Sequence, residues 1–516
     1  NEQYWDYDSY TRIIFEKKPS GLEVHYEYNP DGDLVKVWDN SGTETVYLYD
    51  ACHQMIEKRE LRDKEKQQWD VCTYAYDSMG RLIKKTSPSG KSVSYSYESG
   101  YGKPSYTVYE DGESVRREYD LMERMMVKED SCGSTEYGYN TRDDISLIRD
   151  GDGNETMRLY DSVGRLLYLY PPKADRQTGE GATRYRYNFM RHLEDIIYSD
   201  GSHEKTVVDW EGTVLKRIHP NAYDSEKDDG AGEVYDYNSD KKLIRIHYPD
   251  GGTERFFRDA AGNCIKHVLP EDYDLEKDDG RGYCYTYDAE NRLTQVTNPD
   301  GIIELVYHYD LRGNVISEQS ADGSTAYYWY DLLNQMIQKA EAISDKQGEV
   351  FYRRTCYVYD KDGNRIKEYR YGGSWRLVSG EPENSLELEQ DGQDLCLVYT
   401  YDARNRLICV KDGYGACIRY SYDVRGNRIS EEQKINEEVS KKITYVYNCG
   451  DRLVEKREVI DSGFADTSKN GKATSITRFK RDPNGNITEA GTTRDIIEET
   501  VEAGCVLLRI SDTAGI

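Results

Sequence analysis

Two nearly identical acidic segments are the first place in this sequence to look for chemistry. They read PNAYDSEKDDGAG over Pro220–Gly232 and PEDYDLEKDDGRG over Pro270–Gly282, with acidic side chains at alternating positions as calcium ligands would have. An EF-hand loop needs glycine at its sixth position and an acidic residue at its twelfth. Asp229 and Tyr235 stand at those two positions in the first segment. The spacing therefore favours solvated loops over a calcium site.

The sequence motifs of common catalytic sites are missing from the sequence. It contains no Gly-x-Ser-x-Gly, no His-Glu-x-x-His and no Cys-x-x-Cys, and its 8 histidines are dispersed. Gly90-Lys91-Ser92 resembles the end of a phosphate-binding loop, but Lys85 occupies the position that requires glycine. A carboxylate pair for glycoside hydrolysis is compatible with 96 acidic residues, although the regularly placed aspartates begin turns. We expect no catalytic residue, no cofactor-binding residue and no metal ligand.

The 11 cysteines are scattered and odd in number. Most are expected to be reduced thiols that behave as small apolar residues. Cys409 and Cys417 flank one turn and could face each other across a hairpin, so a disulfide between them is the alternative.

A nine-residue pattern positions all of these residues. Tyr-Ala-Tyr-Asp-Ser-Met-Gly-Arg-Leu stands at Tyr74–Leu82 and returns as YTYDAENRL at Tyr285–Leu293 and as YTYDARNRL at Tyr399–Leu407. About twenty copies follow one another, most of them roughly 20–29 residues apart, a period typical of repeat architectures. Because Tyr-x-Tyr has a period of two, both rings leave the same face of an extended strand.

Each Tyr-x-Tyr is followed by a tight turn, which we name the motif turn. It begins at Asp or Asn, and three residues later comes a residue type that tolerates a left-handed backbone. These residues are Gly32, Gly80, Gly164, Gly212, Gly262, Gly313, Gly363, Gly426, Gly485, Asn291, Asn334, Asn405, Asp143, Asp451 and His53. A second turn, the linking turn, joins one unit to the next and is clearest at Pro249–Gly251 and Pro299–Gly301. The sequence therefore predicts an all-β chain, a long antiparallel meander of hairpins.

The quoted copies resemble the YD-repeat (Rhs-type) family, which includes the shell of bacterial polymorphic toxins, the large component of insecticidal toxin complexes, and the teneurins. The resemblance covers residues 1–489 and implies a β-sheet that spirals into a hollow shell, which in bacterial members encloses a toxic C-terminal polypeptide. Acidic insertions near 171–183, 220–233, 270–283 and 371–395 are expected to be surface excursions, and 490–516 a degenerate C-terminal segment in which 494–503 forms a short helix. In some members an aspartate pair cleaves the chain. The similar string that begins at Asp482 lies within the repeat frame, so we carry over no autoproteolytic residue.

The resemblance implies a non-enzymatic repeat protein that forms part of a shell and encloses or presents a C-terminal toxin or effector, and the composition agrees with a β-shell. The alternative is a secreted or cell-surface carbohydrate-binding or adhesion module that uses the tyrosine rows, although cross-strand aromatic pairing explains those rows more simply. A net charge of −27 disfavours a nucleic-acid partner. No apolar run approaches membrane-spanning length. We expect an internal piece of a longer secreted or cell-surface protein, whose export signal lies outside it.

Overall fold

The fold is taken from a computed structural model. It describes residues 3–98, 102–172, 174–344, 350–377, 386–390, 394–435, 438–448, 450–461, 472–481, 487–494, 502–503 and 506–507. The motif turn predicted at 482–485, with Gly485, lies outside the described residues.

The strands of the first half are β1 Tyr4–Tyr7, β2 Ile13–Lys17, β3 Glu23–Tyr28, β4 Leu34–Asp39, β5 Glu44–Tyr49, β6 Met55–Asp63, β7 Gln68–Tyr76, β8 Leu82–Thr86, β9 Ser92–Ser96, β10 Tyr106–Tyr109, β11 Ser114–Tyr119, β12 Met125–Asp130, β13 Gly133–Tyr139, β14 Ile145–Arg149, β15 Glu155–Tyr160, β16 Leu166–Tyr170, β17 Thr183–Tyr187, β18 Leu193–Ile197, β19 His203–Val208, β20 Val214–Ile218, β21 Tyr223–Asp224, β22 Asp229–Gly230, β23 Glu233–Tyr237 and β24 Leu243–His247. A 3-10 turn covers Pro220–Ala222.

Those of the second half are β25 Thr253–Arg258, β26 Cys264–Val268, β27 Tyr273–Asp274, β28 Asp279–Gly280, β29 Tyr283–Tyr287, β30 Leu293–Thr297, β31 Ile303–Tyr309, β32 Val315–Ser320, β33 Thr325–Tyr330, β34 Met336–Ser344, β35 Val350–Tyr359, β36 Arg365–Arg370, β37 Ser374–Leu377, β38 Leu386–Gln390, β39 Leu395–Tyr401, β40 Leu407–Lys411, β41 Cys417–Tyr422, β42 Arg428–Ile435, β43 Glu438–Tyr447, β44 Leu453–Asp461, β45 Lys472–Arg481, β46 Ile487–Arg494, β47 Glu502–Ala503 and β48 Val506–Leu507.

Forty-two of these strands belong to one antiparallel sheet in which strands pair mainly with their neighbours in sequence. The sheet passes over two insertions, because β20 pairs directly with β23 and β26 with β29. The insertions themselves form separate two-stranded sheets, β21–β22 and β27–β28. The predicted all-β meander is confirmed.

The C-terminal part departs from the prediction. Arg494 ends strand β46, and Glu502–Ala503 pair with Val506–Leu507 as short strands. The helix expected over 494–503 is therefore wrong at both of its ends, and its middle, 495–501, lies outside the described residues.

The motif turn is a type I turn closed by a left-handed residue. At Asp77 the backbone N–H donates to the carbonyl of Arg81 (2.9 Å), and the N–H of Gly80 donates back to Asp77 (3.0 Å). Asp77 Oδ1 accepts the N–H groups of Met79 and Arg81, each at 2.9 Å. This explains why the turn begins with Asp or Asn, whose side-chain oxygen replaces a backbone acceptor.

Every predicted left-handed residue within the described part has a positive φ, from Gly32 at +101° to Asp451 at +58°. The same position is also left-handed at Thr11, Glu123 and Arg191, where the residue type gave no signal. The turn geometry is thus imposed by the repeat even where the side chain disfavours it.

The arginine of the pattern ties two consecutive units together. Arg81 Nε donates to Asp77 Oδ2 (2.7 Å), and its guanidinium lies over the ring of Tyr97 in the next unit, 4.5 Å from the centroid. The same ion pair and stacking recur at Asp8–Arg12 with Tyr28, Asp120–Arg124 with Tyr139, Asp161–Arg165 with Tyr187, Asp288–Arg292 with Tyr309, and Asp402–Arg406 with Tyr422. Cation–π contact thus links these six hairpins to the ones that follow them.

The second tyrosine of the pattern uses its hydroxyl. Tyr97 Oη donates to the carbonyl of Leu82 in the preceding unit (2.7 Å). The same bond forms from Tyr76 to Met55, Tyr139 to Met125, Tyr187 to Leu166, Tyr287 to Cys264, Tyr309 to Leu293, Tyr330 to Val315, Tyr422 to Leu407 and Tyr447 to Arg428. Phenylalanine cannot make this bond, so the bond favours tyrosine at this position in a chain that has 48 tyrosines and 7 phenylalanines. Ring–ring pairs, the stabilisation we expected, occur at fewer places, such as Tyr327–Tyr352.

Little of the sheet is covered by a second layer. The residues between the paired tyrosines, such as Ala75, Thr286 and Thr400, are exposed. Among the described residues few large side chains are fully buried, chiefly Ile218 and Val268. The sheet is therefore held by contacts along it more than by a core beneath it.

The structure shows two units by contact density, each combining early and late residues. One comprises Asn1–Glu44, Met157–Arg353 and Trp375–Glu387, and the other Thr45–Thr156, Arg354–Ser374 and Leu388–Ile516. Within each unit, residues several hundred positions apart are therefore neighbours.

The cysteines Cys409 and Cys417 are thiols, so the alternative of a disulfide between them is wrong. Their strands are paired, but Cys409 lies opposite Arg419 and Cys417 opposite Lys411. Cys417 is buried as expected, whereas Cys52 and Cys284 are exposed.

We predict that Tyr309→Phe lowers the free energy of unfolding by about 1 kcal/mol, because the carbonyl of Leu293 loses its donor while the ring stays on Arg292. Urea denaturation of the full chain measures this. Tyr10→Phe is the control, since Tyr10 is 75% exposed, and it should leave the midpoint unchanged. Equal effects of the two substitutions would contradict a structural role for the hydroxyl.

Candidate functional site

The acidic insertions at 220–232 and 270–282 are the candidate metal site of the sequence analysis. Aspartates of both insertions bond to other groups of the chain. Asp224 Oδ1 accepts the N–H of Glu226 (3.0 Å), and its Oδ2 pairs with Lys227 (2.8 Å). Within the described part of the chain, no group of three or more His, Cys, Asp and Glu residues could hold a metal ion. The same part contains no helix long and apolar enough to cross a membrane.

The first insertion docks on the sheet. Asp228 Oδ2 accepts a hydrogen bond from Lys205 Nζ (2.7 Å), and its Oδ1 accepts one from Tyr223 Oη (2.6 Å). The bond from Lys205 is the main cause that lowers the pKa of Asp228 to about 2. Partial burial, and then the bond to Asp228, raise the pKa of Tyr223 to about 12. This insertion, expected to be a solvated surface excursion, is therefore held against the sheet.

The second insertion repeats this arrangement fifty residues later. Asp278 Oδ1 accepts from Tyr273 Oη and from Arg245 Nε, each at 2.8 Å, and Arg255 Nε lies 3.3 Å from the same oxygen. Arg245 lowers the pKa of Asp278. Arg255 occupies the position of Lys205, so both insertions are anchored by an aspartate on a strand cation.

Close packing explains the glycines that end both insertions. A Cβ atom at Gly230 would lie 2.1 Å from the carbonyl oxygen of Ala222, and one at Gly280 would lie 2.0 Å from that of Asp272. Beneath them Ile218 and Val268 are completely buried, each with 0% exposure. The insertions thus create the small apolar core of this part of the sheet.

Under the two insertions lies an ion pair whose polarity is reversed between the copies. In the first, Arg186 Nη2 contacts Asp195 Oδ2 (2.7 Å) on the opposite strand. In the second, Asp236 takes the position of the arginine and Arg245 that of the aspartate. Asp236 Oδ2 lies 3.1 Å from Arg245 Nη1. Reversal of both charges keeps the pair, which indicates a structural role.

A histidine contacts the carboxylate of each of these two ion pairs, so that each insertion lies over a cluster of an arginine, an aspartate and a histidine. Such contacts are also found in catalytic sites. His203 Nε2 lies 2.7 Å from Asp195 Oδ1, with its ring against Tyr223. His247 bridges Asp236 Oδ2 (3.1 Å) and Thr253 Oγ1 (3.0 Å), the order of groups in a hydrolase triad. Thr253 is only 7% exposed, however, so a substrate has no approach to its hydroxyl. We assign these clusters to anchoring the insertions.

A seam of turn–turn contacts joins distant parts of the second unit. Arg425 Nε contacts Asp130 Oδ2 at 3.0 Å, 295 residues away, with the two side chains 9% and 1% exposed. Burial works to lower the pKa of Arg425, but the hydrogen bond and charge of Asp130 outweigh it, so the pKa is raised. Arg404 likewise contacts Asp111 Oδ2 (3.1 Å) and stacks on Tyr109 at 4.1 Å. In each contact a motif turn meets a linking turn of the earlier chain.

The first unit contains a seam of the same kind. The N–H of Ser20 donates to Glu290 Oε1 (2.9 Å), 270 residues away, and its hydroxyl donates to the carbonyl of Leu311 (3.2 Å). Leu22, which follows this linking turn, is 6% exposed. The seams were not predicted from the sequence. Their only local signal is an arginine at the third position of some motif turns, as at Arg404 and Arg425.

Comparison with known proteins agrees with the repeat and the fold. The RHS Repeat family matches residues 28–60 and 287–326. The crystal structure of TcdB2-TccC3 without its hypervariable C-terminal region has a TM-score of 0.61 and 13% identity, covering 96% of this chain and 29% of that one. TcdB2-TccC3-Cdc42 has a TM-score of 0.55 and 14% identity (92% and 28%), and TcdB2-TccC3 has 0.54 and 13% (96% and 30%).

These likenesses confirm the predicted resemblance to YD-repeat (Rhs-type) proteins and the predicted fold. The chain spans less than a third of the length of the solved structures that it matches. No curated protein matches it.

We predict that Arg425→Met destabilises the second unit by about 3–5 kcal/mol, because Asp130 stays buried without its cation. Urea denaturation, with hydrogen exchange at β12 and β13, measures the loss. Arg281→Met is the matched control, since that arginine is 68% exposed in its ion pairs and should cost under about 1 kcal/mol. Adding Asp130→Asn to Arg425→Met should recover part of the stability. A loss no larger than that of the control would contradict a seam held by this pair.

Proposed function

Because the chain carries RHS repeats and has the fold of TcdB2-TccC3, we propose that it is a non-enzymatic wall of an RHS shell that encloses or presents a C-terminal toxin or effector polypeptide. Residues 1–489 form the wall, and 490–516 are its degenerate C-terminal segment. The observation that carries the proposal is the seam, in which motif turns dock on linking turns 270–295 residues away. Within each unit, such contacts hold distant hairpins side by side, as a wall requires.

The wall of a shell needs stable structure and no reactive groups. The polar side chains of this chain serve mainly structural contacts, as such a wall requires. Aspartates that begin motif turns, such as Asp77, are bonded within the turn, and hydroxyls such as that of Tyr97 are bonded to carbonyl oxygens. The pair His203–Asp195 lies in the cluster that anchors the first insertion. These bonds also give the carbohydrate-binding alternative less support, because they already use the hydroxyl of the second tyrosine in many units. We propose no catalytic residue, cofactor or metal.

The partner implied by this proposal is a polypeptide. One solved structure with this fold is that of TcdB2-TccC3 without its hypervariable C-terminal region. We propose that the natural protein likewise has such a region after these repeats. The charge of −27 argues against nucleic acid as a partner. As an RHS-shell component, the protein acts outside the cell, either secreted or at the cell surface.

The test is to express the complete natural reading frame that contains this chain and to digest it with protease under native conditions. We expect the polypeptide that follows the repeats to survive and to co-purify with them, and to become sensitive when Arg425→Met weakens the seam. Arg281→Met should leave it protected. A reading frame with no such polypeptide, or one digested equally fast in native buffer and in urea, would contradict the proposal.

A further inference from the structure

We propose that this chain binds a second copy of itself through a seam of the same kind as its internal ones. The tips of the motif turns at 188–191 and 209–212 of one copy would dock on the linking turn at 298–303 of the other. This self-association goes beyond the role as a wall and does not depend on any enclosed polypeptide.

The tips of these two motif turns expose large apolar side chains. Phe189 is 98% exposed, Met190 48% and Trp210 69%. The turns are adjacent, because His192 Nε2 lies 3.3 Å from the carbonyl oxygen of Trp210. The three side chains offer on the order of 400 Å² of apolar surface, a patch of the size that commonly marks an interaction site.

The internal seam shows what covers such a tip. Phe189 and Trp210 occupy the second position of the motif turn, the position of Leu311 in the seam of the first unit. Leu311 Cδ2 lies 3.8 Å from the Cβ position of Gly21 in the linking turn, and Leu311 is 38% exposed. A linking turn is therefore the surface that this position of the repeat contacts within the chain.

The linking turn at 298–303 is an open counterpart of the one at 18–22. Both have Pro-x-Gly followed by an aliphatic residue, and both close with a glycine N–H donated three residues back, at 3.0 Å for Gly301 and 2.9 Å for Gly21. Leu22 is 6% exposed within the seam, whereas Ile302 at the matching position is 53% exposed and Ile303 46%. The same apolar position is therefore covered in one turn and open in the other.

A tip and a linking turn are different surfaces, so their contact is heterologous. Each copy would offer one surface to a partner and keep the other for a further copy. Heterologous contacts that do not close into a ring extend with concentration. The average mass of the protein should therefore rise continuously with concentration and should not stop at a dimer.

Sedimentation velocity of the full chain over a range of concentrations tests this with two variants. The tip variant is Phe189→Ser with Trp210→Ser, and the linking-turn variant is Ile302→Ser with Ile303→Ser. All four side chains are exposed, so thermal melting should show unchanged folds. Leu275→Ser is the control, because Leu275 is 79% exposed on the second insertion and belongs to neither surface.

We expect the wild type and Leu275→Ser to associate and each double variant to remain a monomer. An equimolar mixture of the two double variants should give a complex of one copy of each, because each supplies the surface that the other lacks. A wild type that stays monomeric, association that persists in either double variant, or a mixture that remains monomeric would overturn the proposal. The protease-protection test of the wall does not depend on self-association, so the proposed function would stand if this proposal failed.

Discussion

The bond from a tyrosine hydroxyl to the carbonyl of the preceding hairpin is the contact on which this structure depends. A sheet with one layer buries few apolar side chains, so it lacks the core that stabilises ordinary domains. Many hairpins are instead fastened to the previous one by a hydroxyl, as from Tyr97 to Leu82, and some also by an arginine stacked on the same ring. A single such bond contributes about 1 kcal/mol, and repetition along the sheet makes the sum large.

Two further sets of contacts stabilise the sheet: the seams between turns and the docked insertions. The seams bring together turns that are 270–295 residues apart, so the sheet gains long-range contacts within each unit. The insertions at 220–232 and 270–282 cover Ile218 and Val268 and are anchored by Asp228 and Asp278. Charged groups are stable in these places because each has a partner of opposite charge.

The sequence predicted the local features well, because they follow from residue type. Left-handed positions such as Asn291 and Gly313 were recognised from the preference of Asn and Gly for that backbone conformation. The roles of the arginine and the tyrosine hydroxyl were missed, since both act on the neighbouring unit. The seams could not be predicted, because the number of residues between contacting turns depends on the twist and curvature of the whole sheet. The docked insertions had a signal that was overlooked, the exchange of Arg186 and Asp195 for Asp236 and Arg245 fifty residues later.

Linking turns contact motif turns several hundred residues away within each unit, and these contacts hold the hairpins in their distant pairing. In the second unit Lys91 Nζ lies 3.5 Å from Asp362 Oδ2, and Lys361 is the exposed neighbour of that aspartate. Amine-reactive cross-linking of the full chain, read by mass spectrometry, tests this contact directly. We expect a cross-link between Lys91 and Lys361. Cross-links from Lys91 only to lysines of its own hairpins, such as Lys84 and Lys85, would contradict it.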